Sequence, residues 1–456
     1  MPGPGGHTDT IAAVATAPGR GGIGVVRVSG PTATHIALTI CGTLPPPRVA
    51  GFRVFSTSAS DVIDSGIVLH FPGPSSFTGE DVVEFHGHGG PVVLQLVMQS
   101  VLSAGARLAR PGEFTERAFI NGKIDLAQAE AIADLIDSAS TEAARGASRS
   151  LQGEFSRLVT SLIEELTRLR VLVEACIDFP DEDIDFITEA DVTGRMNALL
   201  ERMNDLHRKA HVGSLLRDGL TVVLAGKPNA GKSSLMNCLA GHDAAIVSPT
   251  PGTTRDVLRE QILIDGMPVH VIDTAGLRES GDEVEREGIR RALREAGKAD
   301  LLLLVVDSTS AESPQAIAKE HLSSLADTLP ALCIVLNKSD LSGLTPGECN
   351  ADGDVHIAVS ALTGAGLDAL RSHIGTLVGF SPGESGVFSA RRRHLDAIAR
   401  ARSSLTDGLV TLHERAAVEL LAEHLRDAQH ALGEITGQVT PDALLGEIFS
   451  SFCIGK

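Results

Sequence analysis

Tryptophan and tyrosine are absent from this 456-residue chain, and phenylalanine occurs only 14 times. Aromatic stacking on bases is therefore not expected to dominate any contact with RNA. Basic residues are also scarce: 39 lysines and arginines stand against 58 acids, a formal charge of −19. That balance argues against a protein that wraps nucleic acid over a broad basic face. It leaves room for a local basic pocket, or for a partner that brings the basic surface. The cysteines (Cys41, Cys176, Cys238, Cys333, Cys349 and Cys453) form no C-x-x-C pair, so neither a zinc ribbon nor a disulfide framework is suggested. No apolar run approaches a membrane span, and "MPGPGGHTDT" lacks a basic stretch leading into an apolar one. A reducing cytoplasm is the expected compartment.

The length exceeds one ordinary core and predicts roughly two to four domains. Residues 1–124 alternate β-like runs ("GIGVVRVSG", "SGIVLHF", "DVVEFHGHGG") with a helical stretch, an α+β pattern. Residues 125–218 place apolar side chains at threes and fours, as in "RLVTSLIEELTRLRVLVEAC", and read as helical. The acidic "DFPDEDIDF" reads as a connection within them. Residues 219–380 alternate short apolar strands with helices, suited to a parallel sheet covered on both faces. Helical periodicity returns over 381–456. The pattern predicts a multidomain α/β chain, in which an α/β domain with close termini is inserted into a discontinuous helical domain.

"TVVLAGKPNAGKSSLMNCL" holds G-x-x-x-x-G-K-S between a strand and a helix. Asn229, Ala230, Gly231, Lys232, Ser233 and Ser234 would wrap phosphates, with Lys232 at the β/γ oxygens and Ser233 offering a hydroxyl to Mg²⁺. Downstream, "VIDTAG" supplies Asp273, suited to hold Mg²⁺ through water, then Thr274, Ala275 and Gly276, whose N–H can meet the γ-phosphate. "IVLNKSD" brings Asn337, Lys338 and Asp340; a carboxylate there can accept both the N1–H and the amino group of guanine, which adenine does not offer. In "VSAL", backbone N–H groups of Ser360, Ala361 and Leu362 would meet guanine O6. Four motifs in this order predict GTP binding. The residue after D-x-x-G, a glutamine in Ras-like GTPases, is Leu277 here. Either hydrolysis is negligible or another residue or a partner completes the site. Asn229 and the oxygen-rich "AIVSPTPGTTRD", with Thr254 available to Mg²⁺, would suit a monovalent ion.

Other patterns are weaker. "GRGGIG" satisfies G-x-G-x-x-G, but a strand follows it, so no helix N-terminus awaits a pyrophosphate. "EFHGHGG" sets Glu84, His86 and His88 on one strand face, a metal trio lacking a visible fourth ligand. The terminal "FCIGK" has the spacing of a prenylation box but ends in Gly455 and Lys456, which does not fit one. Cys453 reads otherwise as a small buried hydrophobe.

Together, "PGRGGIGVVRVSG", "SFTGEDVVEFHGHGG", "RPGEFTERAFINGKIDLAQAEAIADLI", "GKPNAGKSSLMN", "PGTTRD", "DTAGLRE" and "FCIGK" resemble the MnmE (TrmE) family of tRNA-modification GTPases nearly end to end. The resemblance implies an N-terminal domain that binds a formyl- or methylene-tetrahydrofolate and forms a homodimer. Its folate contacts would be Arg27, Glu84, Lys123 and Lys456. It also implies G domains that meet across the dimer around K⁺, held by Asn229, Ser248, Thr250 and Thr253, with Mg²⁺ on Ser233 and Thr254. Glu285 would orient the attacking water in place of the missing glutamine, and Cys453 would be a functional thiol near the folate. With an FAD-containing partner, MnmG (GidA), the family adds an aminomethyl-type group to C5 of the wobble uridine in certain tRNAs. The rivals are a ribosome-assembly GTPase, which should carry a basic RNA-binding module, and a GTP-dependent scaffold, which should bind no folate.

Overall fold

The computed structural model describes residues 9–57, 59–178, 191–227, 229–240, 259–273, 299–317, 331–351, 354–380, 386–415, 418–439, 442–452 and 455. The N-terminal elements run β1 (Ile11–Val14), β2 (Gly21–Ser29), α1 (Ala33–Cys41), β3 (Gly51–Ser56), β4 (Val62–Phe71), β5 (Val82–Gly89), α2 (Pro91–Ser103), β6 (Arg107–Leu108), α3 (Glu113–Ile120) and α4 (Leu126–Ile136). Helical periodicity continues through α5 (Thr141–Leu151), α6 (Glu154–Asp178) and α7 (Val192–Asp218). The α/β stretch holds β7 (Leu220–Ala225), α8 (Lys232–Ala240), β8 (Arg259–Ile264), β9 (Met267–Asp273), β10 (Leu301–Asp307), β11 (Ala331–Asn337), α9 (Ser339–Ser342), β12 (Gly347–Ala351), β13 (Asp354–Ala358) and α10 (Leu367–Leu377). Helices α11 (Arg392–Arg415), α12 (Val418–Thr436) and α13 (Asp442–Ser450) complete the chain. Among the described residues no helix is long and apolar enough to cross a membrane.

The residues group into two compact units. One joins Met1–Ala133, Val159–Ile163 and Gln429–Lys456; the other joins Asp134–Leu158 and Glu164–Ala428. In the first unit the sheet order is β3-β4-β5-β2-β1-β6. Alternation in β2 and β5 sends Val26, Val28, Val83 and Phe85 into a core with Ile36, Ala37 and Val97 of α1 and α2. Arg27 and Glu84, registered opposite each other, share the other face. The chain's end belongs to this unit: Phe449 and Phe452 bury against Leu126 and Ala129 of α4.

In the second unit the sheet order is β12-β13-β11-β10-β7-β9-β8, parallel through β13, β11, β10, β7 and β9 and antiparallel at both edges. Strand β10, LLLLVVD, is buried up to its last residue, which explains its unbroken apolar run. Met196, Leu199, Met203, Leu206 and Ala210 line one buried stripe of α7, spaced at threes and fours, and α7 packs along α11. The segment leaving the α/β stretch is fixed by Phe388, which stacks on Phe155 at 4.5 Å. One carboxylate holds that segment and the end of α7 together. Asp134 accepts from Arg217 Nε and an Arg391 terminal nitrogen at 2.8 Å each, and from Ser389 Oγ at 2.6 Å.

Candidate functional site

The phosphate-binding sequence forms the loop between β7 and α8, in the strand-loop-helix context its spacing predicts. Gly226 takes φ +139°, and a Cβ there would lie 2.1 Å from the Val305 carbonyl oxygen of the adjacent β10, so only glycine fits. Gly231, at φ +91°, is equally confined: a Cβ would meet Asn337 Nδ2 at 2.1 Å. Lys232 is 5% exposed; its Nζ donates to the carbonyls of Gly226 at 2.6 Å and Lys227 at 2.9 Å, which curls the loop around the ammonium. Asn229 is exposed at φ +60°, and the Ser233 and Ser234 side chains are exposed at the start of α8.

Strand β11 ends beside this loop. Asn337 is buried; its Nδ2 donates to the Ala230 carbonyl at 2.9 Å and its Oδ1 accepts from the Ala361 N–H at 3.0 Å. One amide thereby joins the phosphate loop to the "VSAL" turn. Ser360 is buried there, its Oγ accepting from Thr363 N–H at 3.2 Å, while Leu362 is 86% exposed. Lys338 turns the chain out of β11 through a left-handed φ of +66°, and Asp340 sits exposed in the first turn of α9. Asp273 ends β9, registered with Leu224 of β7. Ser248, Thr250, Thr253, Thr254, Thr274, Ala275, Gly276 and Glu285 lie outside the described residues.

Sequence reasoning missed Asp307. It is registered with Asn337 at the ends of paired strands and accepts from Lys338 Nζ at 2.6 Å. The available signal was an acid closing an apolar strand, which no motif singled out.

A second cluster sits in the first unit. Arg27 Nε donates to Glu84 Oε1 at 2.8 Å, and His86 Nε2 lies 3.1 Å from Glu84 Oε2. Burial works to raise the Glu84 pKa, yet the bonds from His86 and Arg27 outweigh it and hold the carboxyl below its ordinary range. The Arg27 guanidinium lies 6.0 Å from the Phe77 ring and 5.8 Å from that of Phe114, two aromatic neighbours with no motif to announce them. Lys123 Nζ donates to the Pro74 carbonyl at 3.0 Å. The proposed metal trio does not assemble: His88 Nδ1 lies 2.7 Å from Asp64 Oδ1, and no group of three metal-binding side chains occurs among the described residues. Gly455 lies against Val14 of β1, one strand from Arg27; Cys453 and Lys456 lie outside the described residues.

The model of the GTP-binding protein TrmE N-terminus matches residues 10–123, and that of the MnmE helical domain matches residues 126–453. The tRNA modification GTPase MnmE of Pseudomonas paraeruginosa is 56% identical over 452 residues, covering 98% of this chain and 99% of its own length. That of Proteus mirabilis is 55% identical over 453 residues with the same coverage. Among solved structures, the G domain of the T. maritima FeoB iron transporter aligns at 26% identity and TM-score 0.26, covering 35% of this chain and 98% of that domain. The two matched family models and the full-length relatives leave one assignment: the chain belongs to the MnmE family of tRNA modification GTPases and is a GTP hydrolase.

Proposed function

We propose that GTP hydrolysis in residues 219–380 drives modification of the wobble uridine of tRNA at C5, in a cytoplasmic homodimer working with the FAD-containing partner MnmG (GidA). Residues 1–124 form the folate-binding and dimerisation domain in this reading, with 125–218 and 381–456 as one helical domain. The observation that carries the GTP site is the Asn337 bridge. It ties the loop suited to phosphates to the turn suited to guanine O6, with Asp340 next to it for the base's N1–H and amino group.

Hydrolysis requires charge neutralisation and a positioned water. Lys232 would meet the β/γ oxygens, Asp273 would hold Mg²⁺ through water, and the N–H of Gly276, after Thr274 and Ala275, would meet the γ-phosphate. Ser233 with Thr254 would hold Mg²⁺, and Asn229 with Ser248, Thr250 and Thr253 would hold K⁺. The exposed oxygens of Asn229 and Ser233 at the loop rim fit hard cations of this kind. Glu285 orients the water. In the first unit, the Arg27 guanidinium, the Glu84 carboxylate and the exposed Phe77 ring lie together beside β2 and β5 and suit a tetrahydrofolate's carboxylates and flat ring. Lys123 and Lys456 add positive charge, and the folate, when bound, supplies the one-carbon unit. The position of Gly455 against β1 supports a role for Cys453 near that site.

Nucleoside mass spectrometry tests the reading, using tRNA from cells lacking the chain and complemented with wild type or Cys453→Ser. C5-modified wobble uridines are expected to vanish in the deletion and to return only with wild type. Their persistence in the deletion would overturn the wobble-C5 assignment. Full recovery with Cys453→Ser would reduce the thiol to packing.

A further inference from the structure

Asp307 and Asn337 are the last residues of β10 and β11, registered partners at the C-terminal edge of the parallel sheet, where α/β folds bind ligands. Their side chains take different partners. Asn337 bonds only backbone, whereas the Asp307 carboxylate takes the next residue of the guanine motif. Its Oδ2 accepts from Lys338 Nζ at 2.6 Å, and its Oδ1 accepts from Thr309 N–H at 3.0 Å and Thr309 Oγ–H at 2.7 Å. The bond from Lys338, then those from Thr309, pull the Asp307 carboxyl down to about 2, so it is ionised throughout the working range.

The backbone locks the same place. Ser308 N–H donates to the Asn337 carbonyl at 2.9 Å, and Ser308 Oγ–H donates to Ser342 Oγ at 2.8 Å, across α9. At the far end of this loop Glu312 pairs with Lys227 of the phosphate loop. The segment from Asp307 to Glu312 therefore touches both the base-reading and the phosphate-holding side of the site. The Asp307–Lys338 pair is about 30% exposed on each side (29% and 31%), and ion pairs so open contribute little to folding. What the pair does fix is the lysine. An unpaired lysine stem samples many rotamers, and a ligand that packs on it must order them.

The geometry points to Asp307 as a positioning residue for guanine nucleotides, anchoring the Lys338 ammonium so that its four-carbon stem is already ordered when a guanine ring packs on it. This inference rests on the reading of residues 337–340 as the guanine loop. It separates from a purely structural role in one respect. The base is remote from the bond that breaks, so a loosened Lys338 weakens binding and leaves the chemical step alone. A collapse of the Asp307–Glu312 segment would disturb the phosphate loop through Lys227 and lower kcat.

The test uses the full-length chain, a fluorescent methylanthraniloyl-GDP to read Kd, and steady-state GTP hydrolysis at saturating Mg²⁺ and K⁺. Asp307→Asn is expected to weaken GDP by about fivefold and to raise KM for GTP similarly, with kcat unchanged. Lys338→Ala should weaken binding at least as much, and adding Asp307→Asn to it should cost nothing further. If Asp307→Asn does not fold, Asp307→Glu, whose charge is displaced by one methylene, replaces it in the cycle with the same non-additivity expected. Unchanged affinity in Asp307→Asn beside a weakened Lys338→Ala would overturn the inference alone, as would additive losses or a fall in kcat without a change in KM. If neither Lys338→Ala nor Asp340→Asn alters guanine affinity, the guanine-loop reading itself has failed and the inference falls with it.

Discussion

Arg117 is fully buried, and three carboxylates surround it. Its terminal nitrogens reach Asp9 Oδ1 at 2.8 Å, Glu80 Oε1 at 3.1 Å and Glu113 Oε1 at 3.2 Å. Glu113, also fully buried, accepts two bonds from Arg107 and one from the Arg110 N–H. Burial raises the Glu113 pKa, but those bonds outweigh it and bring the carboxyl to about 2. A folded pKa below the unfolded value gives stability that is complete above about pH 4.5 and is lost as pH falls towards 2. Glu113→Gln should therefore cost about 3 kcal/mol at pH 7, since it removes the one fully buried carboxylate of the cluster and leaves Arg117 only Asp9 and Glu80. Urea denaturation of both forms would show the gap closing between pH 4.5 and pH 3. An equal gap at both pH values would sink the account. None of this network was legible in the sequence. Asp9, Glu80 and helix α3, which carries Glu113 and Arg117 four residues apart, come from three separate stretches, and ion pairs between distant residues leave no periodicity. By contrast the grouping of Asn337, Lys338 and Asp340 at the end of β11 was legible, because residues of one short contiguous motif stay together on one strand end.

The elements themselves followed their periods. "VVRVSG" and "VVEFHGHG" alternate and form strands with one face in the core, while "LLLLVVD" runs apolar and forms a central strand. What local pattern did not carry is the grouping of elements. Phe449 of helix α13 and Phe452 just beyond it pack on α4, far away in the chain, and this draws the C-terminal residues into the first unit. The segment from Val387 to Ala390 shows the same kind of contact in the second unit. Its Phe388 carbonyl comes so close to α7 that a Cβ on Gly213 would stand 1.9 Å from the oxygen. On an isolated helix, Gly213→Ala would be favourable by about 1 kcal/mol. Here the clash with backbone reverses the sign. The substitution should destabilise by about 2 kcal/mol, because Phe388 is held by its stack on Phe155 and cannot withdraw. Thermal unfolding of Gly213→Ala against wild type checks this, and a raised Tm would show that the segment yields.

At the scale of the whole molecule, the two candidate sites fall in different compact units: Arg27 and Glu84 in one, Lys232, Asn337 and Asp340 in the other. Each unit has its own sheet and its own buried core, so a polar substitution at one site leaves the packing at the other intact. Changes that share no bonding partner act independently on binding. Arg27→Ala should weaken tetrahydrofolate at least tenfold, since it removes a charge-assisted contact and leaves Glu84 only His86, while the Kd for GTP stays within about twofold. Asp340→Asn should shift preference from GTP towards XTP, because the amide nitrogen donates to the 2-carbonyl of xanthine but opposes the 2-amino donor of guanine, while folate affinity is unchanged. Isothermal titration of each ligand into each variant measures the four affinities. If modification of tRNA needs both ligands on one chain, either variant should lose C5-modified wobble uridine in cells despite keeping the other ligand. A variant that loses one ligand and still modifies tRNA would show that the site it lacks serves some other step. If instead each substitution weakens both ligands, the units are coupled in binding, and the GTP site acts on the folate site before any nucleotide is hydrolysed.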